Sequence, residues 1–318
     1  MAFYADEERT FIGPEVDTEE HPIVKWEWNF GDGTVVTCPG GTGCDPTHPN
    51  IVRHTYTTPE TYTVRLKTTN DCGASSECTE PITIEPTPDY WWHLAPGDNL
   101  VSCPVDETRA IADIPELAPV DIWQIIGGTW TRPTHFEAGI GYYMYNTTTD
   151  VINVPLYGAD RIVSAEDIVA ILGLGLNLVG PGATDVDISG TFVINGAKHE
   201  FYPVDEGGFV TDKILRVGAG YYIYKNDFEY TYPGAAPEAG ESITFKGLPS
   251  GLSVIYSWDF GDGTTAEGEE VTHIYSEAAS YTVTLELKDT TTGGTLAKVS
   301  KDIAVGVCPV PSCAFTIE

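Results

Sequence analysis

The chain has 318 residues, 42% of them hydrophobic, and its 16 basic and 47 acidic side chains leave a net charge of −31. That length provides for two to four domains, each with its own core. The charge excludes nucleic acid as a partner, because binding phosphates relies on cationic neutralisation. No apolar run reaches the roughly 20 residues a membrane-spanning helix needs, so membrane insertion is not expected.

So much like charge must be carried by the fold, by salt or by bound cations. It suits a salt-adapted habitat and an ordinary acidic secreted protein alike. The opening MAFYADEERTF lacks the apolar core of a secretory signal. Either a signal lies outside this sequence, or the protein reaches the exterior without one, as a virion protein released by lysis would.

In chain order, the elements are strands. Tyr62-Thr-Val-Arg-Leu-Lys-Thr68 alternates apolar and polar residues at a period of two, as does Tyr281-Thr-Val-Thr-Leu-Glu-Leu287. Between them, Glu85-Pro-Thr-Pro-Asp89 and Thr231-Tyr-Pro-Gly-Ala-Ala-Pro237 read as linkers. Helical periodicity is confined to Thr108–Ile114 and to Ser164–Leu172, where Ser164 and Asp167 have the spacing of a capping box.

The cysteines fall into local pairs, Cys38 with Cys44, Cys72 with Cys78 and Cys308 with Cys313. Disulfides within these pairs are expected, which implies an oxidising, extracellular compartment. Zinc is the competing use of close cysteines, but no CxxC pair or histidine cluster supports it. Cys103 is left over and reads as a buried thiol.

Two repeats organise the chain. The outer one pairs Trp28-Asn-Phe-Gly-Asp-Gly-Thr34 with Trp258-Asp-Phe-Gly-Asp-Gly-Thr264, each followed by His-x-Tyr (His54 to Tyr56, His273 to Tyr275) and then by Tyr-Thr-Val. The first copy is longer between the two blocks, and its extra loop holds Cys38 and Cys44. The inner repeat pairs Gly97-Asp-Asn-Leu-Val101 with Gly175-Leu-Asn-Leu-Val179, and Gly139-Ile-Gly-Tyr-Tyr143 with Gly218-Ala-Gly-Tyr-Tyr222.

The outer repeat resembles the PKD domain, an immunoglobulin-like β-sandwich named for polycystic kidney disease protein. Its W-x-F-G-D-G-T and H-x-Y … Y-T-V blocks occur in order in both copies. Glu60 and Ala279 depart from the family, which commonly has glycine two residues before the tyrosine. The inner repeat resembles a small β module of prokaryotic surface proteins, with no activity to carry across.

The expected fold is therefore all-β. A PKD domain spans residues 1–86, β modules span 90–158 and 159–230, and a second PKD domain spans 232–307. Residues 308–318 form a C-terminal strand or the start of a further repeat.

Asn29, Asp32, Asp259 and Asp262 place oxygen donors at glycine-rich turns, as a calcium site requires. The preferred reading is that they cap backbone amides in Asx turns. His54 and His273 are expected to brace those turns, and Trp28 and Trp258 to anchor cores. The aromatics Tyr90, Trp91, Trp92, Trp123, Trp130, Tyr142, Tyr143, Tyr221 and Tyr222 offer a carbohydrate-stacking face, although core filling is preferred.

Asn146-Thr-Thr148 fits the N-glycosylation pattern. Motifs for nucleophilic, metalloprotease or nucleotide chemistry do not occur, so no enzyme is expected. The expected function is a non-catalytic structural or adhesive surface protein. Its partners would be other surface proteins, glycans or like subunits. The alternatives are a virion turret, spike or fibre from a virus of salt-adapted archaea, and the accessory part of a secreted hydrolase.

Overall fold

The computed structural model describes residues 3–15, 21–205 and 208–307. The chain divides into two compact units, Met1–Pro88 and Asp89–Glu318. Both are built almost wholly of strands, and the described residues contain no helix long and apolar enough to cross a membrane.

The first unit is a sandwich. A five-stranded sheet runs in the order Phe3–Tyr4, Ser75–Glu85, Thr61–Asn70, Ile23–Asn29, Val35–Cys38, and it faces the pair Glu8–Ile12 and Ile51–Thr55. Alternation along Thr61–Asn70 decides which side chains go in: Tyr62, Val64 and Leu66 are buried, whereas Thr63, Arg65 and Lys67 are exposed. They meet Trp26, Trp28, Phe30 and Tyr56 in one core. Each such side chain contributes roughly 1.5–3 kcal/mol when fully removed from water.

In the second unit the inner repeats come first. Gly97–Ser102 and Gly141–Asn146 pair at one edge of a four-stranded sheet, and their counterparts Gly175–Val179 and Tyr221–Lys225 pair at one edge of another. The expected helix is present over Ala165–Ile171, with both capping-box bonds between Ser164 and Asp167 formed. The Thr108–Ile114 segment holds only a 3-10 turn, Ile111–Asp113, followed by a second at Pro115–Leu117.

The repeated strands meet one another. Val101 bridges Ala219, and Ile140 bridges Val179. Val101 and Val179 are equivalent positions, as are Ile140 and Ala219, so the contact is reciprocal in the manner of a two-fold interface. The amides follow the same rule: Ser102 N donates to Gly218 O at 3.0 Å, and Gly180 N donates to Gly139 O at 3.1 Å. This explains the second glycine of each G-x-G. A Cβ on Gly141 would lie 2.4 Å from the Val179 carbonyl oxygen, and one on Gly220 would lie 2.9 Å from the Val101 amide.

The second outer copy forms the end of this unit. Its six-stranded sheet runs Phe192–Ile194, Ala197–Phe201, Thr295–Ala304, Ser280–Asp289, Val254–Asp259, Thr265–Glu267; the opposing sheet is Asp227–Thr231, Ser242–Leu248, Glu270–Ile274. Strands on both sides of residue 231 thus share sheets. Phe228 and Ala197, expected in the preceding module, belong to this sandwich core with Phe245, Trp258 and Leu285. The linker reading of 231–237 stands only as a connection, since strand hydrogen bonding crosses it.

Candidate functional site

The duplicated turn forms the same hydrogen-bonded brace twice. Asn29 and Asp259 accept from the amides of Gly31 and Gly261 at 3.0 and 2.8 Å. Asp32 and Asp262 accept from the amides of Thr34 and Thr264 through Oδ1, at 2.9 and 3.0 Å. Their other oxygen faces a histidine: Asp32 Oδ2 lies 2.7 Å from His54 Nε2, and Asp262 Oδ2 lies 2.8 Å from His273 Nε2. Gly31 and Gly261 take φ of 83° and 78°, which glycine adopts without strain.

Aromatic packing completes the brace. The His54 ring stacks on Phe30 with centroids 4.0 Å apart, and His273 stacks on Phe260 at 4.1 Å. Tyr56 and Tyr275 each donate to the carbonyl of that phenylalanine at 3.0 Å. Both phenols are pushed well above their usual range, chiefly by burial and then by the nearby aspartate. For Asp32 and Asp262, burial is the largest single influence and favours the neutral acid. The bonds from threonine and histidine together outweigh it, so both carboxyls sit below the ordinary aspartate value.

The four candidate calcium ligands are thus committed to backbone amides, and Asp32 and Asp262 also to histidine. Among the described residues, His21, Asp71 and Cys72 form the one group of three His, Cys, Asp or Glu side chains with ligand atoms within 4.8 Å of each other. Those three are exposed. The Cys72 thiol is held above its usual pKa by desolvation and then by Asp71, which opposes the thiolate a metal needs.

The cysteine pairs meet different fates. Cys38 and Cys44 are bonded, with Cα atoms 5.8 Å apart. The expected Cys72–Cys78 bridge is not formed, and both are exposed free thiols. The cause is geometric. Cys72 lies in the hairpin turn beyond the Thr69–Ser75 pair, while Cys78 sits three residues down the strand opposite Leu66. At about 3.3 Å per residue that separation exceeds the span of a disulfide.

Cys103 is buried, and burial raises its thiol pKa to about 11. Cys308, Cys313 and the C-terminal strand lie outside the described residues.

Asn146 does not fit a glycan acceptor in the folded state. It is 1% exposed, its amide donates to Leu94 O and Asp150 O at 3.1 and 2.8 Å, and its oxygen accepts from Thr148. A sugar on that nitrogen would displace both bonds.

The inner repeat's asparagines, unremarked as site residues, show a similar internal use. Asn99 and Asn177 each donate to three backbone carbonyls and accept a backbone amide, closing the turn before their strand.

The aromatics divide by strand face. Trp92, Tyr142 and Tyr221 are buried; Tyr90, Trp91, Trp123, Tyr143 and Tyr222 are half-buried. Trp130 is 45% exposed and Tyr145 44%. On the outer face of the first module, Trp123 stands directly opposite Tyr143, and Trp130 packs edge-on against Tyr143 at 6.1 Å. Arg132 lies 4.3 Å over Trp123 and ion-pairs with Asp121 at 2.7 Å. Tyr143 donates to Asp98 at 2.5 Å, and that bond, with a smaller contribution from burial, raises its phenol to about 12.

The sandwiches, their Greek-key-like sheets and the repeated brace define an immunoglobulin-like β-sandwich protein. Residues 3–85 and 232–305 match the family model of the PKD domain, so the chain carries two copies of that domain.

A 40-residue stretch is 48% identical to collagenase ColA of Bacillus cereus, covering 13% of this chain and only 4% of that protein's length. Among solved structures, a carbohydrate-binding module of the β-sandwich superfamily overlaps at a TM-score of 0.25 with 12% identity, over 96% of this chain and 88% of that one. The Bacteroides ovatus mixed-linkage glucan utilization protein SGBP-B, in complex with a heptasaccharide, overlaps at 0.21 with 14% identity, over 96% and 65%. The N-terminal four Ig domains of Dscam1 isoform 9.44 overlap at 0.22 with 10% identity, over 97% and 96%.

Proposed function

We propose that this chain is a non-catalytic extracellular protein that projects from a surface and binds through its β modules. The observation that carries the reading is the internal use of its duplicated polar groups. Asp32 with His54, Asp262 with His273, and Asn99 with Asn177 all spend their hydrogen bonds on their own backbone or on each other. The histidines are dispersed: His54 and His273 serve separate sandwiches, and His199 is buried on a strand facing Phe192 and Val299.

The binding face we favour is the outer surface of the first module, where Trp130, Tyr143 and Tyr145 stand among Asp98, Asp121 and Arg132. Aromatic faces beside fixed acceptors and donors suit the apolar face and hydroxyls of a sugar ring. A glycan array probed with the full chain tests this. Retention of a glycan, weakened at least about tenfold by Trp130→Ala, supports the sugar partner. Retention of none assigns binding to surface proteins instead.

The accessory-module reading rests on the collagenase ColA match. A protease or glycosidase domain encoded in the same reading frame would favour it.

A further inference from the structure

The two PKD copies differ in what covers one edge of the sandwich, and the difference exposes a seat in the first copy. Strand registers align them residue by residue. Phe11 faces Val52 as Phe245 faces Val271, and Val64 faces Glu80 as Val283 faces Lys301. In the second copy, Asp227–Thr231 pairs along the outer edge of Ser242–Leu248. Phe228 from that strand enters the core against Trp258 at 5.4 Å and Phe245 at 6.4 Å. Lys301 fastens it, bonding both the Asp227 carboxylate and the Phe228 carbonyl.

In the first copy the corresponding strand, Glu8–Ile12, pairs among the described residues only with Ile51–Thr55. Where Phe228 would sit there is a groove of about 340 Å³, lined by Phe11, Trp28, Leu66 and Cys78 and flanked by Ile12 and Glu80. Phe11, Trp28 and Leu66 are the counterparts of Phe245, Trp258 and Leu285. Ile12 is 69% exposed beside it. Gly13 N points toward Asn50 on the partner strand, so by antiparallel alternation the amides of Thr10 and Ile12 face the open edge.

We propose that this groove docks an extended polypeptide strand, which adds to the free edge of Glu8–Ile12 and inserts an aromatic side chain between Phe11 and Trp28. The mode is strand addition, with backbone bonds giving affinity and one pocket giving specificity. Charge defines the partner further. Glu80 stands where the second copy has Lys301, so the incoming strand carries a basic residue immediately before its aromatic, where Asp227 precedes Phe228. The chain's own Asp227–Thr231 sequence, acidic at that point, is thereby disfavoured.

Calorimetric titration of the full chain with peptides spanning Tyr224–Tyr232 tests the proposal. The Asp227→Lys peptide is expected to bind saturably, at least about tenfold more tightly than the unmodified one. A further Phe228→Ala change in the peptide, or Thr10→Pro in the protein, removes binding. Glu80→Lys, an exposed change that leaves the core alone, reverses the preference between the two peptides. The proposal is overturned by no saturable binding up to about 1 mM, by undiminished binding of the Phe228→Ala peptide, or by a preference that Glu80→Lys does not move.

Discussion

His273 and Asp262 lie 2.8 Å apart, with the imidazole flat on Phe260, and their counterparts His54 and Asp32 repeat the arrangement at 2.7 Å. Asp32 and Asp262 are exposed as residues, but their side chains, like those of His54 and His273, are turned inward (11–20% exposed), so the bond holds the W-x-F-G-D-G-T turn against its sandwich. Truncating the histidine leaves a half-buried carboxylate without its partner and removes a ring contact. His273→Ala is therefore expected to cost about 2–3 kcal/mol, read as a lower urea midpoint with unchanged slope. Because the aspartate oxygens serve the turn, a chelator is expected to leave the melting temperature of the native protein unchanged. A drop on adding chelator would return Asn29, Asp32, Asp259 and Asp262 to consideration as cation ligands.

Acid weakens the same brace. Asp32 and Asp262 sit below the ordinary aspartate pKa of 3.8 in the folded state. A group depressed on folding contributes stability that is complete above its unfolded value and lost as pH falls through its folded value. Stability is thus expected to decline below about pH 4. Asp262→Asn keeps an acceptor for Thr264 but has no proton to gain, so its profile is shallower in that window. Equal slopes for the two proteins, measured by denaturant titration at each pH, would falsify the assignment.

The inner repeat makes a steric prediction. A Cβ at Gly141 would lie 2.4 Å from the Val179 carbonyl, a backbone atom fixed in a strand. Gly141→Ala is expected to cost about 1–3 kcal/mol, as overpacking does, and Gly220→Ala a comparable amount. Gly190→Ala controls for glycine loss alone, since its φ is not left-handed and the nearest atom to a Cβ there lies 3.9 Å away. A thermal scan that ranks Gly190→Ala as equally damaging contradicts the close approach of the two modules.

Asp6 and Gly240 occupy equivalent turns, and their amides donate to the backbone carbonyls of the H-x-Y tyrosines, Tyr56 and Tyr275 respectively. Asp6 holds φ of 63° and Gly240 of 87°. A side chain in that region carries a steric cost that glycine avoids, partly offset by the greater freedom of unfolded glycine. Asp6→Gly is expected to raise stability by up to about 1 kcal/mol, whereas Gly240→Ala lowers it. Chemical denaturation of the two variants gives the signs directly.

Much of this molecule was legible in local pattern. Period-two alternation placed the strands because a strand sends successive side chains to opposite faces. Ser164 and Asp167 announced the helix because capping is a contact between near neighbours. The duplicated W-x-F-G-D-G-T and H-x-Y blocks identified the sandwiches, and the Asx role of their aspartates follows from turn chemistry within two residues.

Pairings between distant segments were decided only by the folded chain. Six residues separate both Cys38 from Cys44 and Cys72 from Cys78, yet a loop curls back and a hairpin strand runs straight, so one pair bonds and the other does not. Asn146 carries a glycosylation pattern that only burial under Leu94 and Asp150 cancels. Phe228 stands before the second PKD repeat in sequence but completes its core. Alternation tells which face of a strand is apolar, but not which distant strand will cover it, because that choice is settled by the joint packing of segments far apart along the chain.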